Sequence, residues 1–253
     1  MEQVELRHGA RTDVGLVREV NEDDLLVAPP VFVVADGMGG HDGGDVASRI
    51  VVEGFAALAE AGYDPRRGRE VVEEVLRRCQ QRINEYAAAR GAGSRRATPG
   101  TTAVVVLLVE TDDGPAWQVT NLGDSRCYLL AGGTLTQVTV DHSLVQELVS
   151  SGRLTPQEAA RHPERHVITR ALGGPDEPEP DHVLLPVSRA PRLLLCTDGV
   201  NGMIDDDAIG AALRECPDPD EAAGRLVDEA VAAGGRDNAT AVVVDVVGWS
   251  DPT

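Results

Sequence analysis

The chain has 253 residues, enough for one large α/β domain or two small ones. It carries 42 acidic against 23 basic residues, a formal charge of −19, which argues against a nucleic-acid or anionic-membrane partner. All 23 basic residues are arginine, which excludes a phosphate-loop lysine, a Schiff-base lysine and the lysine of a protein kinase.

Short strands are predicted at 4–8 and 24–28, and a third at 31–35 follows a tight Pro29-Pro30 connection. Residues 45–60 read as a helix ending at Gly62. Residues 69–90 form the clearest helix, with Val72, Val75, Leu76, Cys79, Ile83 and Tyr86 recurring at three- and four-residue steps. Residues 91–99 read as a polar loop. Four strands follow, at 102–110, 116–122, 126–131 and 134–138, joined so closely that neighbours must pair antiparallel. Two short helices fall within 143–161, the second opened by a Thr155-Pro156-Gln157-Glu158 capping box. Residues 162–181 are rich in Pro and Gly and read as irregular. Strands at 182–187 and 192–197, helices at 205–215 and 219–233, and a last strand at 239–247 complete the order. Asp218 reads as the cap of the second of these helices. No stretch reads as a linker, so one domain over 1–253 is expected. The order of elements suggests antiparallel sheets with helices packed outside them.

The four cysteines, Cys79, Cys127, Cys196 and Cys216, form no CxxC pair and read as small buried hydrophobes of a reducing cytosol. No signal segment opens the chain, and no run approaches the ~18 apolar residues of a membrane span. A cytoplasmic protein is expected.

Aspartates punctuate the apolar runs. Residues 31–35 stop at Asp36-Gly37, and 192–197 stop at Asp198-Gly199. Asn121-Leu122-Gly123 leads into Asp124, and Gly235-Arg236 leads into Asp237-Asn238 before the final strand. A strand tip is a rigid mount for a carboxylate. Several carboxylates gathered at one end of a sheet repel each other unless a cation sits among them, which points to a hard divalent metal site.

With Arg18-Glu19-Val20-Asn21-Glu22-Asp23 and Asp36-Gly37-Met38-Gly39-Gly40-His41, these segments resemble the metal-dependent PPM/PP2C serine/threonine protein phosphatases in their compact bacterial form. The resemblance runs in order from about Glu5 to about Val247. It implies an α+β fold, a four-layer α/β/β/α sandwich of two antiparallel sheets flanked by helices. It implies two Mn²⁺ or Mg²⁺ ions bridged by Asp36, with the Gly37 carbonyl, Asp198 and Asp237 completing the first ion's shell. Glu22 would serve the second ion, mostly through water, with Asp23 and Asn238 behind these ligands. Bacterial relatives often hold a third ion, for which Asp124, sharing Asp198, is the matching residue. Carboxylates and carbonyls suit these metals, whereas zinc would favour His and Cys. Paired ions ~3.5–4 Å apart can lower the pKa of a shared water and clamp phosphate oxygens. Arg18 would grip the phosphoryl group with its planar fork.

His41 is the candidate proton donor, although the animal enzymes place theirs directly after Asp-Gly, where this chain has Met38. His8, His142, His162, His166 and His182 show no metal-ligand spacing and read as structural or surface residues. Residues 143–174 resemble the family's flap, where Arg161, Arg165 and Arg170 could meet an anionic phosphoprotein. The implied activity is hydrolysis of phosphoserine and phosphothreonine in proteins, opposing an intracellular Ser/Thr kinase, by a monomer. Two alternatives are a phosphatase dedicated to one regulator, of the anti-sigma antagonist type, and a non-catalytic phosphoprotein-binding module.

Overall fold

The computed structural model describes residues 4–39, 43–90 and 98–248. In chain order the strands and helices are β1 (Glu5–Asp13), β2 (Asp24–Ala28), β3 (Val31–Ala35), β4 (Gly37–Met38), α1 (Gly44–Ala61) and α2 (Gly68–Ala89). Next come β5 (Gly100–Thr101), β6 (Ala103–Thr111), β7 (Gly114–Leu122), β8 (Arg126–Ala131), β9 (Thr134–Gln137), α3 (Leu144–Ser150) and α4 (Pro156–Ala159). The last part holds β10 (Asp181–Pro186), β11 (Arg192–Cys196), α5 (Asp198–Asn201), α6 (Asp206–Glu215), α7 (Pro219–Ala232) and β12 (Ala239–Gly248).

Two five-stranded antiparallel sheets result, one ordered β1-β12-β11-β8-β9 and the other β10-β7-β6-β3-β2. Their inner faces pack on each other through Phe32, Val34, Val106, Trp117, Leu195 and Val244. The alternate residues of the same strands face outward onto helices. Val31, Val33 and Leu107 meet Phe55 and Leu76 of α1 and α2, while Leu194 and Val243 meet Leu213 and Leu226 of α6 and α7. Strands covered on both faces need apolar residues at every position, so these runs do not alternate even though the sheets are antiparallel. The architecture is the expected α/β/β/α sandwich.

Leu195 is fully buried between the sheets. Leu195→Ala is expected to cost about 2–5 kcal/mol, the range for a large-to-small change in a packed core. Urea unfolding would read this as a lower midpoint at unchanged slope; an unshifted midpoint would contradict this packing.

One expectation is corrected. The four strands between 102 and 138 do not all pair with their neighbours in sequence, because β7 and β8 lie in different sheets. Three extended residues reach roughly 10 Å, the spacing of packed sheets, so the link 123–125 can step across where a hairpin would turn back. Gly123 takes φ +117 to start that step. Its carbonyl is held by the Asn121 side chain and the His142 amide. The strand at 4–8 is also longer than predicted, since pairing with β12 carries it to Asp13. Thr155 and Glu158 form the predicted capping box, and Asp218 caps α7 as predicted.

Candidate active site

Strand registers bring the aspartate tips to one end of the sandwich. Asp24 pairs with Ala35, so Glu22 and Asp23 enter β2 beside the exit of β3 at Asp36. Val34 pairs with Val104 and Ala103 with Leu122, which sets Thr102 and the Gly123-Asp124 step at the same end. In the other sheet Cys196 pairs with both Ala241 and Arg126, and Asp13 pairs with Ala239. Asp198, Asp237, Asp124 and the loop that follows β1 therefore share that end.

A cavity of about 470 Å³ opens there. Arg18, Glu22, Asp36, Gly37, Asp124, Asp198 and Asp237 all line it. Asp36 is fixed through its backbone: its amide donates to the Thr102 hydroxyl and its carbonyl accepts from the Thr102 amide. Gly37 sits where a Cβ would lie 2.4 Å from the carbonyl oxygens of both Glu22 and Gly44, so only glycine fits between these backbones. Gly199 is equally constrained, since a Cβ would lie 1.7 Å from the Asn238 carbonyl oxygen. Asp198 opens α5 behind Thr197.

Asp23 and Asn238 stand behind the cavity wall. Asp23 accepts hydroxyl hydrogen bonds from Thr197 at 2.8 Å and Thr240 at 2.7 Å. The Asn238 side chain accepts from the Glu22 amide and donates to the carbonyls of Val14 and Val20, clipping the Arg18 loop onto the strand tips. The Arg18 guanidinium donates to the Asp237 carboxylate at 2.7 Å. His41 lies outside the described residues.

The electrostatics of the cluster are unfavourable to its own ionised form. Burial holds the Asp36 carboxyl well above the usual range, and the charges of Asp23, Asp198 and Asp124 add to the effect. Burial, helped by the charges of Asp198 and Asp141, raises Asp124 to about 7. Burial likewise raises Asp23 to about 7 against the pull of its two threonine donors. Asp124 is 7% exposed, and its Oδ1 has no hydrogen-bond partner among the described residues. Repelling carboxylates, one carrying an orphaned oxygen, beside a closely approaching backbone are a donor set for a hard cation. Among the described residues no three His, Cys, Asp or Glu side chains can hold an ion by themselves. Mg²⁺ keeps several waters and binds through one or two carboxylates, so it does not need three side-chain ligands.

Sequence reasoning missed His166. It lines the cavity from the segment between α4 and β10, its Nδ1 3.8 Å from Asp198 Oδ2, and the Asp198 carboxylate raises its pKa. No spacing signal could reveal this, because the segment returns by long-range pairing: Ser143 bridges Ile168, and Thr101 bridges Leu172. Arg165 also lines the cavity, whereas Arg170 turns away to Asp181 at 3.2 Å. His142 is buried: its ring accepts from the Gly123 amide and bonds Asp181. Met38 lines the cavity too.

Known proteins resemble this chain in sequence and in fold. The family model described as Protein phosphatase 2C matches residues 18–229. The chain is 40% identical over 244 residues to the serine/threonine protein phosphatase PstP of Mycobacterium tuberculosis, an alignment covering 96% of this chain and 46% of that protein. It is 34% identical over 243 residues to the serine/threonine phosphatase stp of Listeria welshimeri, covering 93% and 94% respectively. The chain thus spans about half the length of the mycobacterial relative. A crystal structure of the PstP catalytic domain in complex with 2 manganese ions aligns with TM-score 0.81 and 37% identity, covering 96% of this chain and 99% of that one.

Proposed function

The chain belongs to the protein phosphatase 2C family, and from that membership we propose that it hydrolyses phosphoserine and phosphothreonine in proteins with Mn²⁺ or Mg²⁺ as cofactor. The observation that carries this reading is the convergence of Arg18, Glu22, Asp36, Gly37, Asp124, Asp198 and Asp237 on one cavity. Asp36, the Gly37 carbonyl, Asp198 and Asp237 would hold the first ion, with Asp36 shared with a second ion beside Glu22. Asp124 and Asp198 form the candidate third position. The PstP catalytic domain, in complex with 2 manganese ions, supports a paired-metal reading by likeness. When bound, the ions supply Lewis acidity that makes water a nucleophile near neutral pH and screens phosphoryl charge.

The chain's own residues do the rest. Arg18 reaches the cavity from a loop clipped by Asn238, and its fork suits two phosphoryl oxygens. Asp23 keeps Thr197 and Thr240 aligned behind Asp198 and Asp237. Residues 143–174 act as a flap over the cavity, bringing Arg165 and His166 to its rim. His41 is the proposed proton donor to the leaving alkoxide. Residues 1–253 form one catalytic unit, a cytoplasmic monomer whose counterpart is a Ser/Thr kinase acting on the same phosphoproteins. The charge of −19 disfavours nucleic acid, and among the described residues no helix is long and apolar enough to cross a membrane.

The test is phosphate release from a phosphothreonine peptide, expected with Mn²⁺ and abolished by chelator. Arg18→Lys is expected to lower kcat/KM about tenfold, mainly through KM, because a point charge replaces the bidentate fork. An unchanged KM would remove Arg18 from phosphoryl binding, and release of no phosphate under any metal would overturn the reading.

A further inference from the structure

A second cavity, of about 810 Å³, adjoins the first and shares Asp124, Arg165, His166, Asp198 and Gly202 with it. Its two walls differ in chemistry. Val145, Val149, Pro156 and Ala159 of α3 and α4 make an apolar side. The facing side is Asp205, Asp206 and Asp207, at the start of α6. All three of these aspartates are exposed. Asp205 is engaged as the cap of α6, and Asp206 accepts the Tyr128 hydroxyl at 3.0 Å. Each carboxylate keeps a second oxygen beyond those bonds.

The rest of the lining offsets only part of that charge. Arg126 is neutralised by a bidentate pair with Asp141, at 2.9 and 2.7 Å. Arg165 stands at the seam with the first cavity. Asp124, 7% exposed, lines both cavities, and its Oδ1 has no partner among the described residues. A groove continuous with the phosphoryl site, apolar on one side and acidic on the other, matches one kind of side chain. Arginine and lysine lay an apolar stem along hydrophobic surface and present a cation at its end.

We propose that this groove receives the segment of substrate flanking the phosphorylated residue and selects substrates that carry an arginine or lysine there. The proposal rests on the phosphatase reading above and names the substrate class of that same site. A basic flank would seat its stem on Val145 and Val149 and its charge against Asp206 and Asp207. An acidic flank would meet like charge and lose affinity.

The experiment uses the full chain with Mn²⁺ and phosphothreonine peptides in which one alanine at a time is replaced by arginine on either side of the phosphoresidue. The readout is the ratio of kcat/KM for each arginine peptide to that for its alanine parent, which cancels any general loss of turnover. At one or more positions the ratio should be about fivefold above one, the worth of roughly 1 kcal/mol of ion pairing. It should fall toward one in D206N/D207N and in D207N alone, and narrow as salt is raised. The reversed variant D206R/D207R should prefer glutamate over arginine at that position. A ratio of one at every position, or a ratio untouched by these substitutions, overturns the groove while turnover continues. Failure of the parent protein to release phosphate from any of the peptides overturns the phosphatase reading instead.

Discussion

Asp36→Asn should lower Mn²⁺-dependent phosphate release at least about a thousandfold while leaving the metal-free protein more stable, not less. The rate loss follows from the position. Asp36 leaves the tip of β3 into the cavity among Asp23, Asp124 and Asp198, and asparagine keeps its shape but cannot supply the shared negative charge two cations need. A thousandfold is about 4 kcal/mol of barrier, a reasonable loss when the Lewis acid itself is misplaced. The stability gain follows from the cluster. Burial and neighbouring carboxylates already push the Asp36 carboxyl well above its usual range, so its ionised form costs the fold free energy that the neutral amide does not. Phosphate release and thermal unfolding in chelator measure the two effects. Turnover within tenfold of the parent would remove Asp36 from the chemistry. A lower unfolding temperature in chelator would show that its backbone and side-chain contacts outweigh the repulsion.

The second large effect is a pH dependence that inverts with metal. Asp124 has its carboxyl raised from 3.8 to about 7. A folded-state pKa above the unfolded value means the native state holds the proton more tightly. The associated stability is fully present below about pH 4 and is lost as pH rises through about 7. One such group represents on the order of 4 kcal/mol at the limit. Asp23 and Asp36 titrate in the same cluster, so their contributions overlap instead of adding. Chelated protein should therefore lose roughly 10 °C of unfolding temperature between pH 5 and pH 8, at a few degrees per kcal/mol for a chain of this size. Saturating Mn²⁺ should flatten or reverse that slope, because metal binding needs the deprotonated ligands and stabilises only the folded state. Parallel slopes with and without Mn²⁺ would show that the metal does not replace those protons.

Much of the site was legible in the sequence because its chemistry is carried by residues at strand ends. Asp36, Asp198 and Asp237 follow or precede apolar runs, and a run of that length announces both the strand and the place where it stops. Once the strands pair, registers such as Asp24 with Ala35 and Cys196 with Ala241 bring the ends together. The assignment of strands to sheets was not legible. The short link after Leu122 reads as a turn, and only the pairing of Cys127 with Leu195, in the sheet that does not hold Leu122, shows that the chain changes sheet. His166 was invisible for a related reason: its nearness to Asp198 comes from the bridge between Ser143 and Ile168, which leaves no periodic trace. The short pair of β4 and β5 was missed because two residues cannot show a period.

The placement of the acids on both sheets has a consequence for how the protein matures. Glu22 and Asp36 belong to the sheet that ends in β2, while Asp198 and Asp237 flank strands of the other. With the proposed ligands divided in this way, neither half alone would bring the full set of oxygens, so loading would wait until the two halves have docked. Once seated, the ion would staple the layers at the rim where the chain crosses between the sheets through 14–23, 123–125 and 138–180. Metal occupancy thereby becomes a read-out of completed assembly, and a chain stalled before docking stays inert.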